Sequence, residues 1–151
     1  FRRVLFRSPY HAELKRIIDD LHARFGRVRQ ISCHCMSATG APTHPDAGKP
    51  RPDFCVSDIK GKTTSRDFLD LVVDTLRSLG YSVNVNDPYV GNVLIGRYSN
   101  PARGINALQI EVNKKLFMDT KTFRPTKGLA KLKKDLDALL EAVAKDTRSR
   151  V

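Results

Sequence analysis

The sequence predicts an α/β structure with its sheet in the middle, and three observations carry that reading. Residues 105–113 alternate apolar with polar side chains, which is the two-residue period of a strand. Three other stretches carry their apolar residues on one stripe at helical spacing. Glycines and prolines fall between these stretches, where the chain must turn. At 151 residues and 40% hydrophobic content, the chain has the length and composition of one folded domain.

In chain order, residues 1–8 come first and are set aside. Their arginines resemble a secretory n-region, yet no apolar stretch or small-residue cleavage site follows, and they read as a non-native scar. The first helix is expected to begin where Ser8 can cap it and Pro9 takes its first turn. Leu14, Ile17, Ile18, Leu21 and Phe25 form its stripe, and Gly26 ends it. His11 and His22 lie on this helix as surface or packing histidines, with no ligand partner near them in sequence. Residues 28–36 read as a strand, and residues 37–52 as a Gly- and Pro-rich loop that is functional or poorly ordered. A short apolar strand follows at 53–59. Residues 61–65 then turn into a helix carrying Leu69, Val72, Val73, Leu76 and Leu79 and ending at Gly80. Val83 and Val85 alternate with Asn84 and Asn86 as the next strand, and residues 92–99 read as another short strand or an extended loop. Pro125 and Thr126 introduce the last helix, with Leu129, Leu132, Leu136, Leu139, Leu140 and Val143 on its stripe.

The alternating stretch sends Leu108, Ile110 and Val112 to one face and Gln109, Glu111 and Asn113 to the other. On period alone it is an edge strand with one solvated face. A carboxylate between two amides in mid-strand is costly unless it is paired, solvated in a cleft, or in use. His34, set between Cys33 and Cys35, has three readings: a packing histidine, a metal ligand, or part of a thiol site. Cys-His-Cys in direct succession is a poor match to zinc-finger spacing, and strand alternation sends the thiols away from the imidazole.

The formal charge is +11, and three of the basic residues, Arg2, Arg3 and Arg7, lie in the stretch set aside. Much of the remaining excess lies in the tail from Lys121, along a helix face. It has no nucleic-acid motif and no aromatic residues interleaved, so a solvated face is expected there and not a nucleic-acid partner. No apolar run has the length to span a bilayer, and no membrane partner is expected. Three cysteines form no disulfide framework and point to a reducing, cytoplasmic setting.

Four segments together resemble the C-terminal half of the N-formylglutamate amidohydrolase family: Asn86-Asp87-Pro88-Tyr89-Val90-Gly91, Arg97-Tyr98-Ser99-Asn100-Pro101, the run from Ala107 to Asn113, and Phe117-Met118-Asp119. The resemblance runs from about Pro9 to the final helix. It implies a three-layer αβα fold of the zinc-carboxypeptidase type with a mixed central sheet. It also implies zinc-dependent hydrolysis of N-formyl-L-glutamate to formate and L-glutamate, a step of histidine degradation. His34 is implied as a zinc ligand, within a segment that resembles the family's Asp-Cys-His-Ser-Met pattern. Ser32 and Cys35 depart from that pattern, and the first departure removes a possible carboxylate partner of the histidine. Glu111 is implied as general base and acid, taking a proton from water and returning it to the leaving amine.

Arg97, Arg103, Asn86 and Tyr89 are the candidates for holding substrate, because an arginine fork suits one of the two substrate carboxylates. A surface role for either arginine and a plain turn at residues 86–89 stay open. The other zinc ligands are expected upstream, so residues 9–151 are expected to be the C-terminal part of one amidohydrolase domain. Such a part is expected to lack activity alone and to self-associate through an exposed sheet edge. The implied partner is a small-molecule N-acyl amino acid. A rival from another class is a non-catalytic relative whose basic surface binds an anionic partner such as nucleic acid, with salt-sensitive affinity. A zinc ion and its water between His34 and Glu111 would need about 4–7 Å from imidazole to carboxylate.

Overall fold

Four strands form one mixed sheet in the computed structural model, which describes residues 3–149. They are β1 (Val28–Met36), β2 (Phe54–Ser57), β3 (Val83–Val85) and β4 (Ile105–Asn113), in the spatial order β1-β4-β2-β3. β4 runs parallel to β1 and antiparallel to β2, and β2 runs parallel to β3. The alternating stretch is therefore an interior strand, not the edge strand that its period suggests. Its polar face is buried: Gln109, Glu111 and Asn113 are all below a tenth exposed.

The helices are α1 (Ser8–Phe25), α2 (Arg66–Ser78), α3 (Val93–Tyr98) and α4 (Gly128–Arg148). Leu108 and Ile110 of β4, with Phe54 and Val56 of β2, pack against Phe68, Val72 and Leu76 of α2 and Leu132, Leu139 and Val143 of α4. The opposite face is closed at one end by α1. There Ile18 packs on Val28 and Ile105, joined by Leu14, Leu21 and Tyr98. Ile17 and Phe25 of the α1 stripe, and Leu129 and Leu140 of the α4 stripe, stay exposed. Gly26 ends α1 at φ 68°, a conformation that glycine adopts without the Cβ clash.

Two local expectations change. Arg3–Arg7 form a π-helical turn that runs straight into α1, so Ser8 is inside the helix and caps nothing. Residues 1 and 2, the rest of the start of the stretch set aside, lie outside the described residues. Residues 92–99 are neither strand nor extended loop but the short helix α3, because the Asn92 side chain accepts from the backbone N–H of Leu94 and Ile95. That cap outweighs the β-preference of Val93 and Ile95. No helix among the described residues is long and apolar enough to cross a membrane.

Candidate active site

Register assembles the site. The parallel pairing sets His34 of β1 beside Glu111 of β4, and the antiparallel pairing sets Cys55 of β2 on the other side of Glu111. Side chains paired across a sheet point to the same face, so the imidazole, the carboxylate and the thiol form one row. His34 Nδ1 lies 4.0 Å from Glu111 Oε1, the lower edge of the span named for a zinc ion and its water. The Glu111 side chain is 8% exposed and that of His34 45%, so the cleft is open at the imidazole and closed over the carboxylate.

Burial pushes the Glu111 carboxyl above the usual carboxylate range. The charges of His34 and Arg51 and a hydrogen bond from Gln109 pull the other way. That bond runs 2.9 Å from Gln109 Nε2 to Glu111 Oε1. A carboxylate with its affinity for protons raised in this way, next to a solvent-facing imidazole, is suited to take and return a proton.

α3 meets this row through Asn92. Its Nδ2 donates to His34 Nε2 at 3.0 Å and to Ser32 Oγ at 3.3 Å, while its Oδ1 accepts from Leu94 N at 2.9 Å and Ile95 N at 3.2 Å. Gly91, just before it at φ 120°, leaves no room for a Cβ, which would stand 2.6 Å from Ile95 Cδ1. The backbone thus approaches α3 as closely as glycine permits.

The loop at 37–52 is ordered by one buried arginine. Arg51 donates from Nε and Nη2 to Asp46, from Nη1 to Ser37 Oγ at 3.0 Å and to Tyr89 Oη at 2.8 Å, and Nη2 meets His44 Nδ1 at 3.2 Å. Every arm of the guanidinium is engaged, and Asp46 is held below the usual carboxylate range by this pairing. Arg51 carries no role in the sequence reading. It lies in a segment without periodicity, and its only local signal is an aspartate five residues earlier. Arg51→Met is expected to loosen the loop, so that the Gly40 and Gly48 amides, bonded to the Lys49 and Gly40 carbonyls, exchange with solvent roughly tenfold faster or more. Unchanged exchange of those amides would mean the loop is held by something else.

The four candidates for holding substrate separate. Asn86 braces the turn at 58–61: its Oδ1 accepts from Asp58 N and its Nδ2 donates to Asp58 Oδ1 at 2.7 Å. Tyr89 follows a cis Asp87–Pro88 bond. It accepts from Arg51 through its hydroxyl, and from Ser57 Oγ through its backbone carbonyl at 2.6 Å. Arg97 is exposed on α3 and shares a shallow depression with Gly91, Asn92 and Val93. Arg103 sits in the turn before β4, beyond Ile105, so it is roughly 20 Å along the strand from Glu111 and is not brought to the site. The histidines of α1 pack away from it, His11 on Tyr98 Oη at 2.6 Å and His22 on the Arg103 carbonyl at 2.7 Å. Cys33 and Cys35 share the face of Ile110 and Val112, away from His34. Burial pushes the Cys33 and Cys55 thiols up, which disfavours a thiolate nucleophile.

Among the described residues, no group of three His, Cys, Asp or Glu side chains gathers as a metal site. His34 offers one ring nitrogen in an open cleft beside a buried carboxylate, which fits one part of a catalytic metal's surroundings.

The N-formylglutamate amidohydrolase family model matches residues 2–118. An N-formylglutamate deformylase of Pseudomonas putida is 30% identical over 139 residues, covering 87% of this chain and 51% of its own length. The crystal structure of N-formylglutamate amidohydrolase from Ralstonia eutropha JMP134 superposes with a TM-score of 0.88 at 34% identity, over 99% of this chain and 54% of that one. A gene product of Agrobacterium tumefaciens shares the fold at a TM-score of 0.63 and 16% identity, over 95% of this chain and 53% of its own. The chain spans about half the length of each of these relatives.

Proposed function

Because this chain belongs to the N-formylglutamate amidohydrolase family, we propose that it forms part of a zinc-dependent amide hydrolase that converts N-formyl-L-glutamate and water to formate and L-glutamate. One observation carries this reading: His34 and Glu111 face each other at 4.0 Å in a cleft open on the imidazole side. Glu111 takes a proton from the attacking water as the water oxygen bonds to the formyl carbon. It gives that proton to the amine nitrogen as the C–N bond breaks. Gln109 holds one oxygen of the carboxylate in place through both transfers. His34 is the residue of this chain that would hold zinc, and the other ligands would come from the half of the domain that this chain does not span. When bound, zinc supplies the charge that acidifies water and polarises the formyl carbonyl. Arg97 is the arginine placed to meet a substrate carboxylate, since the turn carrying Arg103 lies at the far end of β4. For the whole domain we propose a three-layer, zinc-carboxypeptidase-like fold, in keeping with helices on both faces of the sheet. A reducing compartment, the cytoplasm, suits the three free thiols.

The test joins this chain to the segment of the Ralstonia eutropha relative that it does not cover and follows formate release from N-formyl-L-glutamate. Release is expected to stop on chelation and to return with zinc. Release that continues undiminished after exhaustive chelation would remove zinc from the proposal, and none from the zinc-loaded chain would remove the substrate.

A further inference from the structure

We infer that the outer edge of β1 is an interaction surface that takes an extended strand, supplied by the part of the domain that this chain does not span. This role rests on the chain being part of a larger domain, and on neither zinc nor the substrate. The two edges of the sheet are unlike. β3 is three residues long and runs into Asn86 and Pro88, so it offers little to a neighbour. β1 is nine residues long and pairs one-to-one with β4 from end to end, with no bulge, lysine or proline to blunt it. Its arginine, Arg29, is buried over the Phe68 ring.

Register sets which backbone groups are on offer. Val28 donates to the Gly104 carbonyl at 3.0 Å, so its N–H points toward β4. Along a strand in a parallel pair, the backbone groups of successive residues turn alternately to one side and the other. Gln30, Ser32 and His34 therefore face β4. Ile31, Cys33 and Cys35 turn N–H and C=O outward, where no strand stands among the described residues.

Side chains and flanking helices fit the same occupant. Cys33 and Cys35 are exposed, although cysteine is among the residue types most often buried. Leu21 and Phe25 of α1, Val28 of β1, and Val143 and Ala144 of α4 wall a mostly apolar groove of about 350 Å³ at the start of the strand. The row of Cys55, Glu111 and His34 ends at this edge, and the cleft lies open there, with the His34 side chain 45% exposed. The next place in the row belongs to the incoming strand. The relatives have the length to supply one, since this chain spans about half of each. A second copy of this chain is the poorer occupant, because two chains of formal charge +11 repel.

Amide hydrogen exchange tests this in the chain alone and in the chain joined to the remaining segment of its Ralstonia eutropha relative. Alone, the Ile31, Cys33 and Cys35 amides are expected to exchange fast. Those of Gln30, Ser32 and His34 are expected to exchange slowly, which also shows that the sheet is folded. In the joined chain, the outward three are expected to slow by about a hundredfold or more. Where the joined chain does not fold, the two parts expressed together as separate chains replace it, and failure to form a complex overturns the proposal. Outward amides that exchange as fast in the joined chain as alone overturn it. So do outward amides already slow in the chain alone, whether their protection rises with concentration, as a second copy would cause, or does not. Formate release followed in the same samples keeps this apart from the function proposed above. Protection without release upholds the β1 edge and counts against the hydrolase alone, and release without protection overturns the role of the edge.

Discussion

Glu111→Gln is expected to lower formate release by about 10²–10⁴-fold in the chain completed with the segment from its Ralstonia eutropha relative. The amide keeps the shape of the side chain and its contact with Gln109, so the sheet and the cleft survive while the proton acceptor is lost. The same substitution is expected to raise the melting temperature near neutral pH. Burial raises the Glu111 carboxyl above its ordinary value, so the folded chain holds that proton more tightly than the unfolded chain does. Wild-type stability from this group is therefore greatest below the ordinary carboxyl range and is lost as pH rises through the raised value. Glutamine has no such loss. The advantage of the variant should be small at about pH 4 and level off toward neutrality. Melting curves across that range, with formate assays beside them, check both halves. Full activity in Glu111→Gln would reject the residue as the base, and a lower melting temperature at every pH would reject the account of its burial.

Phe54→Ala carries the largest expected loss of stability, about 3–5 kcal/mol in urea unfolding. Phe54 has no exposed surface and stacks edge-on with Tyr81 at 4.9 Å between ring centres. Its ring lies among Leu108, Ile110 and the leucines of α2 and α4, where few neighbours can move in to fill the space. A domain of this size is typically stable by about 5–15 kcal/mol, so the variant would lose a large share of that margin. A loss below about 1 kcal/mol would mean that the β2 side of the core is not close-packed. Because Phe54 points away from the face that carries Glu111 and Cys55, the effect should appear as lost folded protein and not as altered chemistry in what remains folded.

How much of this was legible in the sequence differs from residue to residue. The two faces of β4 were readable from its period alone, and Leu108, Ile110 and Val112 do oppose Gln109, Glu111 and Asn113. The position of β4 inside the sheet was not, because a strand's neighbours are set by tertiary pairing, and local alternation is silent about them. His34 and Glu111 stood out as chemistry-bearing residues, yet their pairing depends on the β1–β4 register, across residues far apart in the chain. α3 was missed because Val93, Leu94 and Ile95 read as strand and the deciding group is a single cap, Asn92. Arg51 was missed for another reason: its partners Ser37, Asp46 and Tyr89 are gathered by loops, which carry no period.

The Cys-His-Cys order on β1 has a consequence for how this site can fail or change. Parallel strands hold His34 against Glu111 only in one alignment, Val28 with Ile105 and onward to Met36 with Asn113. A slip of one residue in either direction would bring a thiol to the carboxylate in place of the imidazole and turn His34 onto the apolar side. The burial of Val28 and Met36 opposes such a slip, so a residue inserted ahead of β1 is expected to be taken up at the Gly26 turn with the pairing of imidazole and carboxylate kept.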